Sequence, residues 1–189
     1  MLFRSFGPIV DSLLGVLPEQ DDLDRAMPAS GGPVSAFVTI MRGCNYSCTY
    51  CIVPYVRGRE SYHPMEQVIE EVRDRVREGA REITLLGQTV NSYHRDGQKG
   101  RGTDFADLLE AVGAVDGVER VRFISPHPYY MTDRVIDAMA QVPEVCEALH
   151  LPVQSGSTAL LRKMQRNYSR ESYLEDRKST RLNSSHVSE

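Results

Sequence analysis

The sequence predicts an α/β protein of about four strand–helix units with parallel strands, as either a partial (β/α) barrel or an open doubly wound sheet. Three observations predict it. Short β-branched apolar runs alternate with longer stretches of helical periodicity. Such an alternation is what parallel neighbours joined by right-handed crossovers require. Each unusual polar stretch ("RGCNYSCTYC", "GQTVNSY", "SPHP" and "QSGS") follows a predicted strand. Both architectures gather ligands at those C-terminal strand ends.

Taken in order, residues 6–35 are rich in Gly, Pro, Asp and Ser and read as a linker. "AFVTIM" (Ala36–Met41) is the first strand, β-branched and apolar, running directly into the cysteines. A helix follows with Met65, Val68, Ile69, Val72 and Val76 on one face and Gly79 just past its end. "ITLLG" (Ile83–Gly87) is a short buried-type strand. Phe105, Leu108, Leu109 and Val112 form the next helical face, with Thr103 and Asp104 as cap candidates. "RVRFIS" (Arg120–Ser125) is the third strand, and Thr132 opens a helix carrying Val135, Ile136 and Met139. "LHLPV" (Leu149–Val153) is expected as a fourth strand, before a helix capped by Ser157 and bearing Leu160, Leu161 and Met164.

A chain of 189 residues is long enough for one domain with a real core. Its 41% hydrophobic and 25% charged residues are ordinary for a globular protein. Neither a membrane-length apolar run nor a signal-peptide pattern is visible, so a cytoplasmic protein without membrane association is expected. The net charge of −4 gives no electrostatic case for nucleic acid. Both ends read as foreign: "DRKSTRLNSSH" (Asp176–His186) and "LFRS" (Leu2–Ser5) equal translations of sequencing-library adapter DNA. Residues 1–5 and 176–189 are therefore expected to be adapter-derived, and 6–175 an internal piece of a longer protein.

Four cysteines are too few for a disulfide scaffold, and three of them, Cys44, Cys48 and Cys51, fall within eight residues. In a reducing compartment that clustering points to metal or redox chemistry. A structural zinc site would need a fourth ligand. His63 is near, but it stands just before a helix-starting Pro64. An iron–sulfur cluster suits three thiolates on a short loop, and three ligands on four irons leave one iron open for chemistry. Zinc in an interaction module stays the alternative. Cys146, outside the loop, reads as a small apolar core residue.

The spacing C-x3-C-x2-C, with the aromatic Tyr50 before the last cysteine, resembles the cluster motif of the radical S-adenosylmethionine superfamily. "SAFVTIMRGCNYSCTYCIVPYVRGRE", "LLGQTVNSY", "RFISPHP" and "LHLPVQSGSTALLRKMQRNYSRESYL" resemble its methylthiotransferase branch across nearly all of residues 35–175. Within that branch, "GQTVNSY" is similar to the type that makes 2-methylthio-N6-dimethylallyladenosine beside the tRNA anticodon. Threonylcarbamoyl-adenosine or a ribosomal-protein aspartate are the other substrates of the branch.

The resemblance implies a TIM-like partial barrel, with residues 36–175 as a truncated radical core. It implies a [4Fe-4S] cluster on Cys44, Cys48 and Cys51, whose open iron takes S-adenosylmethionine and yields a 5′-deoxyadenosyl radical. No catalytic residue beyond the cluster ligands is implied. Tyr50, Gln88, Asn91, Ser125 and Gln154 would contact the cofactor, and Arg57, Arg59 and His127 the substrate. For Asn91, Ser155 and Ser157, loop capping is the competing reading; for His150, a satisfied core histidine. The implied partners are tRNA and an electron donor such as flavodoxin or ferredoxin. A second [4Fe-4S] cluster is expected in a missing N-terminal domain and an RNA-binding module after the core, so the piece alone is expected to be inactive.

Overall fold

The computed structural model describes residues 34–93 and 104–175. Both terminal segments, nearly all of the 6–35 linker and Thr103 lie outside them. Strand β1 (Ser35–Thr39) and the two-residue β2 (Met41–Arg42) open the fold. A short helix α1 (Val53–Val56), β3 (Ser61–Tyr62) and helix α2 (Met65–Arg77) follow. Next come β4 (Glu82–Leu86), α3 (Phe105–Gly113), β5 (Arg120–Phe123), α4 (Asp133–Gln141) and α5 (Thr158–Lys163).

The main sheet has the order β1–β4–β5 and is parallel throughout. Ser35 lies opposite Glu82 and Thr39 opposite Leu86, while Glu82 faces Arg120 and Leu85 faces Phe123. Ile83, Thr84 and Leu85 of the central strand are all buried, as a parallel strand covered on both faces should be. Successive strands add in one direction, so right-handed crossovers set α2 and α3 on the same face. There α2 packs on β1, α3 on β5, and α2, α3 and α4 lie side by side. That is the wall of a (β/α) barrel; a doubly wound sheet would carry helices on both faces.

Helix starts follow their side-chain chemistry. The Asp104 carboxylate accepts from the Ala106 and Asp107 amides, and Asp107 accepts from the Asp104 amide, closing a reciprocal cap. Thr132 and Ser157 cap α4 and α5 from their hydroxyls. Beyond α2, Gly79 turns the chain at φ +106°. Phe105 meets Phe123 edge to face at 5.1 Å, locking α3 onto β5.

Two expected elements differ. "AFVTIM" is not one strand: after Thr39 the chain passes Ile40, and Met41–Arg42 pairs antiparallel with Ser61–Tyr62. This two-rung ribbon closes the base of the cysteine loop. "LHLPV" is not a ladder strand. Just before it, the chain meets β5 through a parallel bridge between Val145 and Val121, with the Cys146 amide donating to the Val121 carbonyl at 2.9 Å and the Val121 amide to the Glu144 carbonyl at 2.6 Å. Beyond it, Pro152 has no N–H to offer, and tyrosine hydroxyls take the carbonyls. Tyr173 donates to Leu151 O at 2.6 Å and Tyr168 to Val153 O at 3.0 Å. Cys146 is half-buried beside β5 and outside the central core. No helix among the described residues is long and apolar enough to cross a membrane.

Asp104 also pairs with Arg134 of α4 at 2.8 Å, so it ties two helices together. Asp104→Ala should cost about 1–2 kcal/mol, measured by urea unfolding, with Asp104→Ser keeping most of the cap.

Candidate cofactor and substrate site

A cavity of about 240 Å³ opens at the C-terminal end of the sheet. The loop after β2 supplies Cys44, Tyr46, Cys48, Tyr50 and Cys51 to its wall. The turn after β4 adds Gln88 and Thr89, and the turn after β5 adds Ser125, Pro126 and His127. His150, Pro152, Gln154 and Arg166 complete it from the last stretch of chain.

The cysteine loop holds its shape through bonds that reach across the fold. At its base, the Cys44 amide donates to the Gly58 carbonyl at 3.2 Å. Asn45 and Glu60 bond each other through side chain and backbone. Its far side is tied to the chain after α5: the Thr49 amide donates to Met164 O, Ser47 Oγ to Gln165 Oε1 at 2.8 Å, and Arg166 to the Tyr50 hydroxyl. Gly43 stands at φ +71°, and a Cβ there would overlap the Arg59 carbonyl. Gly58, at φ +72°, has open space around that position.

All three loop thiols are free and face one cavity. Among the described residues no group of three His, Cys, Asp or Glu side chains is arranged to hold a single metal ion. Burial pushes the Cys48 thiol up, the Arg166 guanidinium opposes this, and Cys44 and Cys51 add to it. Cys44 Sγ also lies 3.5 Å from Thr89 Oγ1.

The strand ends carry unspent polar groups. Gln88 Oε1 and His127 Nε2 are buried and have no hydrogen-bond partner. Ser125 (φ +59°) and Gln154 (φ +66°) are held in the left-handed region, where non-glycine residues are strained. His127 is 5% exposed. Tyr46 stacks on its ring at 4.6 Å between centroids and 8° between planes. Burial, then the Arg166 charge, pulls its imidazole down to about 4.

Among the residues singled out from the sequence, Cys44, Cys48, Cys51, Tyr50, Gln88, Ser125, Gln154 and His127 meet on this cavity. Asn91 requires correction. It is buried with both ends of its amide committed to the His127 backbone, donating to His127 O at 3.0 Å and accepting from His127 N at 2.8 Å. It holds the third strand end in place and does not line the cavity. Arg57 and Arg59 are exposed on the turn bonded to Cys44 and do not line the cavity. His63 lies outside it, its amide bonded to Ile40 O and its carbonyl to the Tyr93 hydroxyl. Ser155 accepts from the Ser157 amide as a local cap.

Sequence reading passed over Tyr46, Thr89 and Arg166. Tyr46 sat inside the motif and had a signal. Arg166 had none, because only packing of the chain after α5 against Tyr50 brings it in, with its guanidinium 5.6 Å from that ring.

The Radical SAM superfamily model matches residues 38–175, and the chain belongs to that superfamily. Within it, the chain is similar to curated members of one kind. It is 51% identical over 165 residues to the tRNA-2-methylthio-N(6)-dimethylallyladenosine synthase of Clostridium botulinum (strain Loch Maree / Type A3), covering 87% of this chain and 36% of that one. The synthase of Carboxydothermus hydrogenoformans is 50% identical, with 87% and 37% covered. The chain thus spans little more than a third of the length of these curated relatives. Among solved structures, the cobalamin-dependent S-adenosylmethionine radical enzyme OxsB matches with a TM-score of 0.62 at 15% identity, over 78% of this chain and 22% of that one. The radical S-adenosylmethionine methyltransferase TsrM of Kitasatospora setae gives 0.57 at 14%, over 80% and 29%. Those two show the fold.

Gly43→Ala should lose most of the iron taken up on anaerobic reconstitution, because the loop base must open; Gly58→Ala, strained in φ but unobstructed, should lose less. His127 carries a pH signature. Below about 6.5 the unfolded imidazole takes up a proton, while the folded one stays neutral to about 4. Stability should therefore fall as pH drops through that window, by about 3 kcal/mol at most from this group. The slope should shrink in His127→Phe, read from urea midpoints at neutral and mildly acid pH.

Proposed function

We propose that the protein is a radical methylthiotransferase that adds a methylthio group to carbon 2 of N6-dimethylallyladenosine beside the tRNA anticodon. One observation carries the reading: a three-thiol loop opens on the shared strand-end cavity in a chain half identical to synthases named for that product.

Cys44, Cys48 and Cys51 would hold a [4Fe-4S] cluster, and the donor set fits one: three free thiols line one cavity beside buried, unpaired polar atoms. With S-adenosylmethionine bound, that cluster supplies a hydrogen-abstracting radical. The chain's own residues have simpler tasks. Arg166 sets a positive charge beside Cys48 and offsets thiolate charge in a half-buried loop. Tyr50 offers a planar face at the cavity mouth, and Gln88 Oε1 an acceptor for a ligand N–H. Ser125, after β5, and Gln154, in the chain before α5, place polar side chains on strained backbone. Arg57 and Arg59, exposed beside the loop, would contact RNA phosphates. Walls that exclude water protect a radical from quenching and hold the reacting atoms together. A cytoplasmic setting, a flavodoxin- or ferredoxin-type electron donor and a second cluster belong to the same proposal.

Anaerobic reconstitution should give a brown protein with about four irons per cysteine loop that binds S-adenosylmethionine. Cys48→Ala should abolish that uptake, and Cys146→Ala should leave it unchanged. Stoichiometric zinc without iron would reject the cluster. Expressed from its complete gene in cells lacking this modification, the protein should restore 2-methylthio-N6-dimethylallyladenosine in nucleoside digests of tRNA. Its absence would reject the substrate.

A further inference from the structure

His127 is fixed on every side but one. Asn91 grips its backbone through two hydrogen bonds from the turn after β4. Tyr46 covers one ring face from the cysteine loop, and Tyr168 packs edge-on at 5.5 Å and 76° from the chain after α5. Tyr130 leans against the ring at 5.9 Å. On the ring edge, Nδ1 accepts from the Tyr129 amide at 3.2 Å. A nitrogen that accepts from an amide carries no proton, so the imidazole is neutral and its hydrogen sits on Nε2. Turning the ring over would put a carbon where Tyr129 needs an acceptor.

The remaining atom is the informative one. Nε2 is buried, has no protein partner, and belongs to a side chain on the cavity wall that is 5% exposed. Native proteins rarely leave a buried donor unpaired, and sites that bind a ligand are where they do. The same wall shows one unpaired acceptor, Gln88 Oε1. A neutral donor with a neutral acceptor suits an uncharged heterocycle that has both ring nitrogens and an amine hydrogen. An anionic group has Arg166 to turn to instead.

We infer that His127 binds ligand directly: its Nε2–H donates a hydrogen bond to an acceptor atom of an adenosine held in the cavity, and Asn91, Tyr129 and Tyr46 are the positioning residues that aim it. This rests on the proposed function for the identity of the nucleoside. Both S-adenosylmethionine and the tRNA nucleoside contain adenosine, and the arms of the test separate them.

The test uses cluster-loaded protein from the complete gene, kept anaerobic, with variants His127→Phe and His127→Gln. Phe keeps a ring for Tyr46 and removes the donor; Gln places an amide N–H near the Nε2 position. Binding is measured for S-adenosylmethionine and, separately, for an anticodon stem-loop carrying N6-dimethylallyladenosine. His127→Phe should weaken one of the two about tenfold or more, and His127→Gln should stay within about threefold of wild type, as for one buried hydrogen bond. A loss on S-adenosylmethionine assigns the contact to the cofactor, and a loss on the RNA assigns it to the substrate. Wild-type affinity of His127→Phe for both, or equal losses in both variants, overturns the inference. Failure of the proposed substrate reads differently: the wild type would bind S-adenosylmethionine but not the modified stem-loop. Nitrogen-15 NMR of histidine-labelled wild type stands in if a variant does not fold. The His127 Nε2 should carry the proton at neutral pH and shift when one ligand binds; an Nδ1–H form, or no shift with both bound, overturns it.

Discussion

With Leu86 opposite Thr39 and Leu85 opposite Phe123, the three parallel strands finish at one level, and each chain then turns across the same end of the sheet. Shifting β4 by one residue would swing Gln88 away and bury its neighbours on the wrong face. The register is secured by Ile83 and Leu85, fully buried between two strands and a layer of helices. Hydrophobic burial in the central strand therefore sets the coordinates of the polar atoms beyond it. The cavity is a consequence of strand pairing before it is a matter of any single ligand.

Held at that end, the cysteine loop could not keep its thiols in place by itself. Eighteen residues separate Arg42 from Ser61, whose pairing closes it, and in that span only α1 forms a regular element. Distant chain does the rest: Asn45 with Glu60 at the base, Ser47 and Thr49 with the 164–165 turn, Tyr50 with Arg166. Gln165, at φ +58°, accepts left-handed strain where its side chain receives the Ser47 hydroxyl. Local strain of this kind persists when surrounding contacts over-determine the geometry. Here those contacts join the cysteine loop to the chain after α5, so loop shape and the packing of that later segment are one property.

What could be read from the sequence divides along the same line. β1, β4 and β5 were legible because buried parallel strands select β-branched apolar runs, and the helices because Val68 with Val72, or Leu108 with Val112, repeat at helical spacing. The cysteines and Gln88 were legible because strand ends collect ligands. The β2–β3 ribbon was not: two residues on each side leave no periodicity to detect. "LHLPV" had the alternation of a strand, yet Pro152 and the Tyr168 and Tyr173 hydroxyls took its backbone out of the ladder. Asn91 stood at a strand tip like Gln88, and nothing local separates an amide that faces a cavity from one that bonds backbone. Only the position of the His127 peptide decides between them.

Charge shows why Gln88 and His127 matter together with Arg166, whose own Nε is also buried without a partner. Three thiols must lose protons to bind metal, and burial works against that at Cys48. The Arg166 guanidinium opposes that effect of burial at Cys48, yet the same cation disfavours a second positive charge, which is one reason His127 stays neutral. A neutral imidazole with Nδ1 committed has one function left, donation from Nε2. Arg166 thus has two effects from one position: it eases thiolate formation at Cys48 and helps keep His127 a directional, uncharged donor. Moving that guanidinium would disturb both, and its place depends on chain more than a hundred residues beyond the cysteines it serves.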